Sequence, residues 1–213
     1  MTSWNLPPQE IEDRSFAIID GEAPAHSWPP EAWSIVRRMI HTTADFDYVQ
    51  SVRMHPQALE RGRRAIASGA HIFTDTAMAK AGVSARRLAP FGCRVECLMA
   101  DAGVAAAARE GHTTRAYAAV EAALDRLEGA IYVVGNAPTA LWRLLELMDA
   151  GRARPALVVG LPVGFVNAAE SKAALAASDH PHITALGRKG GSAVAASVIN
   201  ALADLCAQGE NHA

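Results

Sequence analysis

From residue 70 onward, short apolar runs alternate with longer stretches whose apolar positions recur every three or four residues. The runs are "AHIFTD" (70–75), "CRVECLM" (93–99), "GAIYVVGN" (129–136), "PALVVGL" (155–161) and "HITALG" (182–187). Short and mostly β-branched, they predict strands. In "TTRAYAAVEAALDRL" the positions Tyr117, Val120, Leu124 and Leu127 form one stripe; in "APTALWRLLELMDAG" Leu141, Leu144, Leu145 and Met148 form another. Stripes of that period predict helices with one buried face. Pro138 suits the first turn of the second helix, and Gly151 the position just past its end. Strands alternating with helices imply a mainly parallel, five-stranded α/β sheet covered on both faces.

The first seventy residues read as helical instead. "PPEAWSIVRRMI" leads up to His41 with a buried stripe of Trp33, Val36 and Ile40. The following "TTAD" offers a hydroxyl cap for another helix, which places His41 at a helix–helix joint. "HPQALERGRRAIASG" predicts a further helix, with Pro56 at its first position and Gly69 just after its last. No internal repeat, low-complexity tract or linker interrupts the pattern. Residues 1–213 therefore read as a single domain, with loose ends over 1–10 and 207–213.

Composition narrows the function classes. Of 213 residues half are apolar and 20% charged, a globular profile and not a disordered one. The formal charge of −2 argues against general nucleic-acid binding, which needs a basic face. No basic-then-apolar leader is visible, and no apolar run approaches the ~18 residues that a membrane span requires. An odd count of cysteines, Cys93, Cys97 and Cys206, fits a reducing cytoplasm. "GCRVEC" lacks the Cys-x2-Cys spacing and second pair of a zinc knuckle.

Three loops between a strand and a helix have the look of anion sites, since backbone N–H groups at a helix start point at negative ligands. "VVGNAPTAL" enters a helix near Pro138. In "VVGLPVGFVNAAESK", Asn167 and Glu170 have the spacing of a capping box. "LGRKGGSAV" sets Arg188 and Lys189 before a glycine pair and a helix opening at Ser192. The lysine precedes the glycines, so this is not a nucleotide-binding P-loop, and no G-x-G-x-x-G follows any strand. Arg115, at a helix start, gains nothing from the helix dipole but adds a guanidinium to such a site. Together these loops predict a small ligand carrying several anionic groups.

His41 is the strongest candidate for chemistry. A helix C-terminus favours the protonated ring and burial the neutral one, which suits a group that gives or takes a proton. His26, His55, His71, His112 and His212 lie at helix starts, strand starts or loops, and His180-Pro-His182 has no partner cluster for a metal. No Gly-x-Ser-x-Gly elbow or His-Glu-x-x-His pair supports hydrolase or zinc-protease chemistry.

Five stretches in this order, "RSFAII", "VRRMIHTTADFDY", "GNAPTAL", "GLPVGFVNAAESK" and "GRKGGSA", resemble the precorrin-8X methylmutase family, also called cobalt-precorrin-8 methylmutase, from about residue 11 to 205. The resemblance implies a Rossmann-like fold and a homodimer with active sites near the subunit interface. It also implies a cofactor-free isomerase of vitamin B12 biosynthesis that moves a methyl group from C-11 to C-12 of a corrin macrocycle. Cobalt, if present, would be chelated by the substrate, and "HTTADFDY" leans toward the cobalt-containing branch. By the same resemblance His41 is catalytic, and Ser15 and Arg115 contact substrate. The matching stretches and their flanks also hold Arg14, Thr42, Thr43, Asn136, Thr139, Gly164, Ser171, Lys172 and Arg188, which are expected substrate contacts. A non-catalytic tetrapyrrole carrier is the rival reading, distinguished by the absence of spectral conversion. An S-adenosylmethionine-dependent methyltransferase is a second rival, disfavoured because no glycine-rich first βα turn is present to bind that donor.

Overall fold

In the computed structural model, which describes residues 5–210, a six-stranded sheet lies between two layers of helices. The chain begins with α1 (Pro8–Glu22), α2 (Pro30–Thr43) and the single turn α3 (Tyr48–Ser51), followed by β1 (Val52–Met54) and α4 (Ala58–Ala67). Next come β2 (His71–Thr74), the short helices α5 (Ala77–Gly82) and α6 (Ala85–Leu88), and β3 (Arg94–Glu96). A pair of helices, α7 (Ala102–Glu110) and α8 (Arg115–Ala123), leads to β4 (Ile131–Val134). The rest alternates: α9 (Pro138–Asp149), β5 (Leu157–Gly160), α10 (Ala168–Ala176), β6 (His182–Ala185) and α11 (Ser192–Glu210).

The strand order is β1-β6-β5-β4-β2-β3, parallel throughout except that β1 runs antiparallel to β6. All five strands expected from the sequence are present; the sixth corrects the count. β1 is a three-residue edge strand paired Val52 to Ala185 and Met54 to Ile183, too short to carry a periodic signal of its own. An antiparallel edge on a parallel sheet is a common arrangement.

Alternation along the strands assigns the two faces. Ile131, Val133, Leu157, Val159 and Ile183 join the core beneath α2, α4 and α11. Tyr132, Val134 and Val158 pack on the other side under α8 and α9. The expected stripe of α9 is fully realised: Leu141, Leu144, Leu145 and Met148 are all buried, each worth roughly 1.5–3 kcal/mol of transfer free energy. In the stripe expected over 113–127, Val120 and Leu127 are buried and Tyr117 and Leu124 only partly covered, and α8 itself stops at Ala123. In α2 the stripe is Ala32, Ile35, Val36, Met39 and Ile40, with Trp33 half-buried because its indole N–H reaches out to Asp20.

Several boundaries differ from expectation. Residues 8–10 and 207–210 are helical, not loose; residues 1–4 and 211–213, with His212, lie outside the described residues. Pro56 sits in a turn two residues before α4 and not at its first position, whereas Gly69 follows that helix at φ +74° as expected. His41 does not close α2. The helix continues through Thr42 and Thr43 and ends at Ala44, which is left-handed at φ 52°. The two threonine hydroxyls donate back to the carbonyls of Arg38 and Met39, each at 2.8 Å, and cap nothing downstream.

Candidate active site

Open α/β sheets bind ligands beyond the carboxyl ends of their strands, at the point where strand order reverses. Here the chain leaves β2 outward to β3 and returns to β4 on the other side of β2, so the crevice lies between β2 and β4. That crevice is occupied by a side chain the sequence did not flag. Asp75, the first residue after β2, is buried and accepts the amide hydrogens of Gly135 at 2.9 Å, Asn136 at 2.7 Å and Ala137 at 2.7 Å. The β4–α9 loop, expected to present free N–H groups to a ligand, gives three of them to this carboxyl. Burial pushes the Asp75 carboxyl above its usual range, against the three amide bonds that pull it down. Beside it the hydroxyls of Thr76 and Ser192 share a 2.8 Å hydrogen bond, so the starts of α5 and α11 are tied together. Gly135 allows this approach: a Cβ there would lie 2.7 Å from the Ser192 Cα.

The candidate residues fall into three groups. In the first, Thr114 caps α8 and its hydroxyl lies 2.8 Å from that of Thr139 in the first turn of α9. Two helix N-termini are thereby held side by side. Arg115 is exposed at the first position of α8, without an ion pair among the described residues, and Asn136 is exposed where its loop enters α9.

The second group surrounds the loops after β5 and β6. Gly164, at φ +150°, donates its N–H to the carbonyl of Arg188 at 3.2 Å. Arg188 is exposed, with its guanidinium 5.4 Å from the centre of the Phe165 ring. Phe165 and Val166 are 82% and 78% exposed, an apolar pair standing out at the ligand end of the sheet. Asn167 takes up a left-handed conformation, φ 60°, so its side chain makes no cap and the expected capping box does not form. Ser171 and Lys172, expected to touch substrate, are fully buried in α10. Ser171 donates to the Ala168 carbonyl, and the Lys172 ammonium donates to the Lys189 carbonyl at 2.5 Å. Burial without a carboxylate partner lowers the Lys172 pKa to about 8.

The third group lies between α1 and α2. His41 is exposed in the last turn of α2, its ring 5.2 Å from that of Phe16. The burial expected of it is therefore absent among the described residues. Arg38 packs its guanidinium 4.7 Å from the Phe16 ring and pairs with Glu12 and Asp204. Ser15, next to Phe16, donates to the Ile11 carbonyl at 2.7 Å, and Arg14 is an exposed partner of Glu10. The second and third groups are joined by Lys189, whose ammonium lies 2.6 Å from both Asp45 and Asp47. Among the described residues no hydrogen bond joins the first group to either.

Among residues missed by local reading, Asp75 shows only as an acid at a strand end. Asp45 and Asp47 were visible as acids after α2, without a partner to give them meaning. An open, mostly parallel sheet with Arg115, Asn136 and Arg188 exposed in the segments that follow its strands defines an α/β protein of the ligand-binding kind. The comparisons identify which one. The family model described as precorrin-8X methylmutase matches residues 10–205. The chain is 46% identical to precorrin-8X methylmutase of Pseudomonas aeruginosa over 92% of its length and 94% of that protein's. It is 42% identical to cobalt-precorrin-8 methylmutase of Priestia megaterium, over 96% of this chain and 91% of the other. A crystal structure of precorrin-8X methylmutase from Thermus thermophilus superposes with a TM-score of 0.88 at 47% identity, covering 94% and 97% of the two chains. The chain belongs to the precorrin-8X methylmutase family and is a methylmutase, an isomerase of cobalamin biosynthesis. Among the described residues no helix is long and apolar enough to cross a membrane.

Proposed function

We propose that this methylmutase moves a methyl group from C-11 to C-12 of the corrin macrocycle, with His41 as the proton donor or acceptor. The observation that carries the reading is His41 itself: an exposed imidazole on a rigid helix end, tied by the segment that follows it to the loops at the ligand end of the sheet. A suprafacial 1,5-shift of a methyl around a ring needs neither a nucleophile nor a redox partner. It needs electron density in the macrocycle biased toward the rearranged, more conjugated product. A protonated imidazole donating to the ring system supplies that bias. The substrate's acetate and propionate arms match Arg115, Arg188 and the N-terminus of α8, while Phe165 and Val166 offer apolar cover to a flat ring. Ser15, Arg14, Thr42, Thr43, Asn136, Thr139 and Gly164 belong to the surface that surrounds it. Lys172 acts from beneath, through the loop backbone, while Ser171 bonds within α10, and neither touches substrate.

The enzyme works without a separate cofactor in this reading, and its exposed apolar loop is suited to be covered across a homodimer. Relatives of similar identity carry both the metal-free and the cobalt names, so the lean toward cobalt-precorrin-8 rests on "HTTADFDY" alone. Incubating the purified protein with metal-free and cobalt-loaded substrate, and following the absorption spectra, tests the whole reading. Conversion to hydrogenobyrinate or cobyrinate without an added methyl donor is expected; pigment that binds without any spectral change would defeat it. Light scattering at micromolar concentration is expected to give the mass of two chains.

A further inference from the structure

We propose that Asp45, Asp47 and Lys189 form a clamp that positions the end of α2, and with it His41, against the loop between β6 and α11. The proposal rests on the catalytic role assigned to His41 above, and gives a task to the two acids that follow it. Two carboxylates converge on one ammonium group. Lys189 Nζ lies 2.6 Å from an oxygen of Asp45 and 2.6 Å from an oxygen of Asp47. Asp45 also accepts the Asp47 amide at 3.0 Å, so the two acids form one turn and not two independent side chains. That turn starts one residue after Ala44, whose left-handed backbone ends α2 and whose N–H donates to the Ile40 carbonyl at 2.7 Å. His41 is thus four residues from the clamp, on a helix the clamp terminates.

The other jaw is fixed just as firmly. The Lys189 carbonyl accepts the buried Lys172 ammonium, and the Gly191 N–H donates to the Leu161 carbonyl at 2.9 Å. Gly190 lies so close to the Leu161 and Pro162 carbonyls that no side chain fits there. Below, Leu186 donates to the Ser51 carbonyl at 2.9 Å, and β1 pairs with β6. Lys189 therefore projects from a backbone that is held on both sides. Burial alone would raise the Asp45 carboxyl, but the Lys189 hydrogen bond, the Asp47 amide and the nearby ammonium hold it below the usual carboxylate range. Without the ammonium, two carboxylates would repel each other next to the negative end of the α2 dipole. The turn would then move, and His41 with it. An exposed pair adds little to global stability, so the consequence is one of geometry.

The clamp is read first in the substrate-free protein. In Lys189→Met the amides of Ala44 and Asp47 are expected to exchange with deuterium roughly tenfold faster, with the melting temperature almost unchanged. Unaltered exchange would overturn the clamp whatever the reaction. In turnover, Lys189→Met and the double variant Asp45→Asn/Asp47→Asn should each lower kcat by roughly ten- to a hundredfold with little change in KM, as misplacement of a reacting group does. Lys189→Arg should recover part of the rate. Combining Lys189→Met with Asp45→Asn/Asp47→Asn should cost no more than either alone, since both remove the same contact. A raised KM confined to Lys189→Met, with the aspartate variants silent, would make Lys189 a substrate ligand and end the proposal. Normal turnover by His41→Ala would instead sink the catalytic reading, while the exchange result stood.

Discussion

Oδ2 of Asp75 lies 2.7 Å from the amide nitrogen of Asn136, across 61 residues of sequence. With the companion bonds from Gly135 and Ala137 it fixes the entry to α9 by a side chain from the neighbouring strand. Asp75→Asn replaces one acceptor oxygen by an NH2 group that must face a backbone donor. Leaving a buried amide unsatisfied costs about 1–3 kcal/mol. Urea denaturation of Asp75→Asn is expected to show a loss of that size, with the slope of the transition unchanged. A variant as stable as the native protein would mean that the loop holds its shape without the carboxyl.

Gly135 presents the same junction from the other side. A methyl group there meets backbone atoms, the Ser192 Cα at 2.7 Å and its nitrogen at 2.9 Å, which cannot rotate away as a side chain would. Gly135→Ala is expected to destabilise the fold by roughly 1–3 kcal/mol, the usual range for overpacking. Because the Thr76–Ser192 hydroxyl pair sits at the same contact, the variant should also lower turnover. Thermal denaturation and steady-state kinetics on one preparation check both.

Much of this architecture was legible locally, and the failures share a physical cause. The five strands and the α9 stripe follow from side-chain periodicity, which is set by a segment's own residues. β1 was not legible because three residues, "VRM", carry no period and become a strand only through the β6 edge. The amides of the β4–α9 loop look free from their own neighbours, whereas their partner Asp75 arrives from the end of β2. Asn167 has the right side chain for a cap, but its left-handed backbone, φ 60°, turns that side chain away. Thr42 and Thr43 have the residue type of a cap for a following helix, but their hydroxyls bond back to the preceding turn and α2 runs past His41 through both. His41 is legible from sequence as an imidazole at a helix end, and its catalytic role is what the family resemblance implies. Its tether, Lys189, lies more than 140 residues downstream and showed only as a basic residue in a glycine-rich run.

Lys172 offers a test in pH. Its ordinary lysine value of 10.5 is lowered by burial to about 8 in the folded chain. Between those values the unfolded state holds a proton that the folded state has lost, so stability rises with pH across the window from about 8 to 10.5. Below pH 8 the folded protein carries the full cost of a buried ammonium. Lys172→Met removes this titration while keeping most of the side chain's volume. The stability of the native protein minus that of Lys172→Met should therefore increase from pH 8 to pH 10, by at most about 3 kcal/mol. Chemical denaturation of both proteins over that range gives the difference directly, and other titrating groups cancel in it. A flat difference would mean that the Lys172 ammonium is not penalised in the fold.

His41 carries the sharpest expectation. Its ring is exposed and touches the rest of the chain mainly through Phe16, at 5.2 Å between centroids, so truncation removes little packing. His41→Ala should melt within a few degrees of the native protein and leave α2 intact, because alanine is the better helix former. Loss of a general acid or base typically costs roughly 10²–10⁴ in rate. The methyl shift should slow by that factor while binding of the pigment, followed by its absorption on titration, changes little. Equal losses of binding and rate would instead make His41 a substrate ligand whose removal weakens every state alike. The decisive quantity is thus the ratio of single-turnover rate to pigment affinity in His41→Ala, and a catalytic imidazole requires the first to collapse while the second holds.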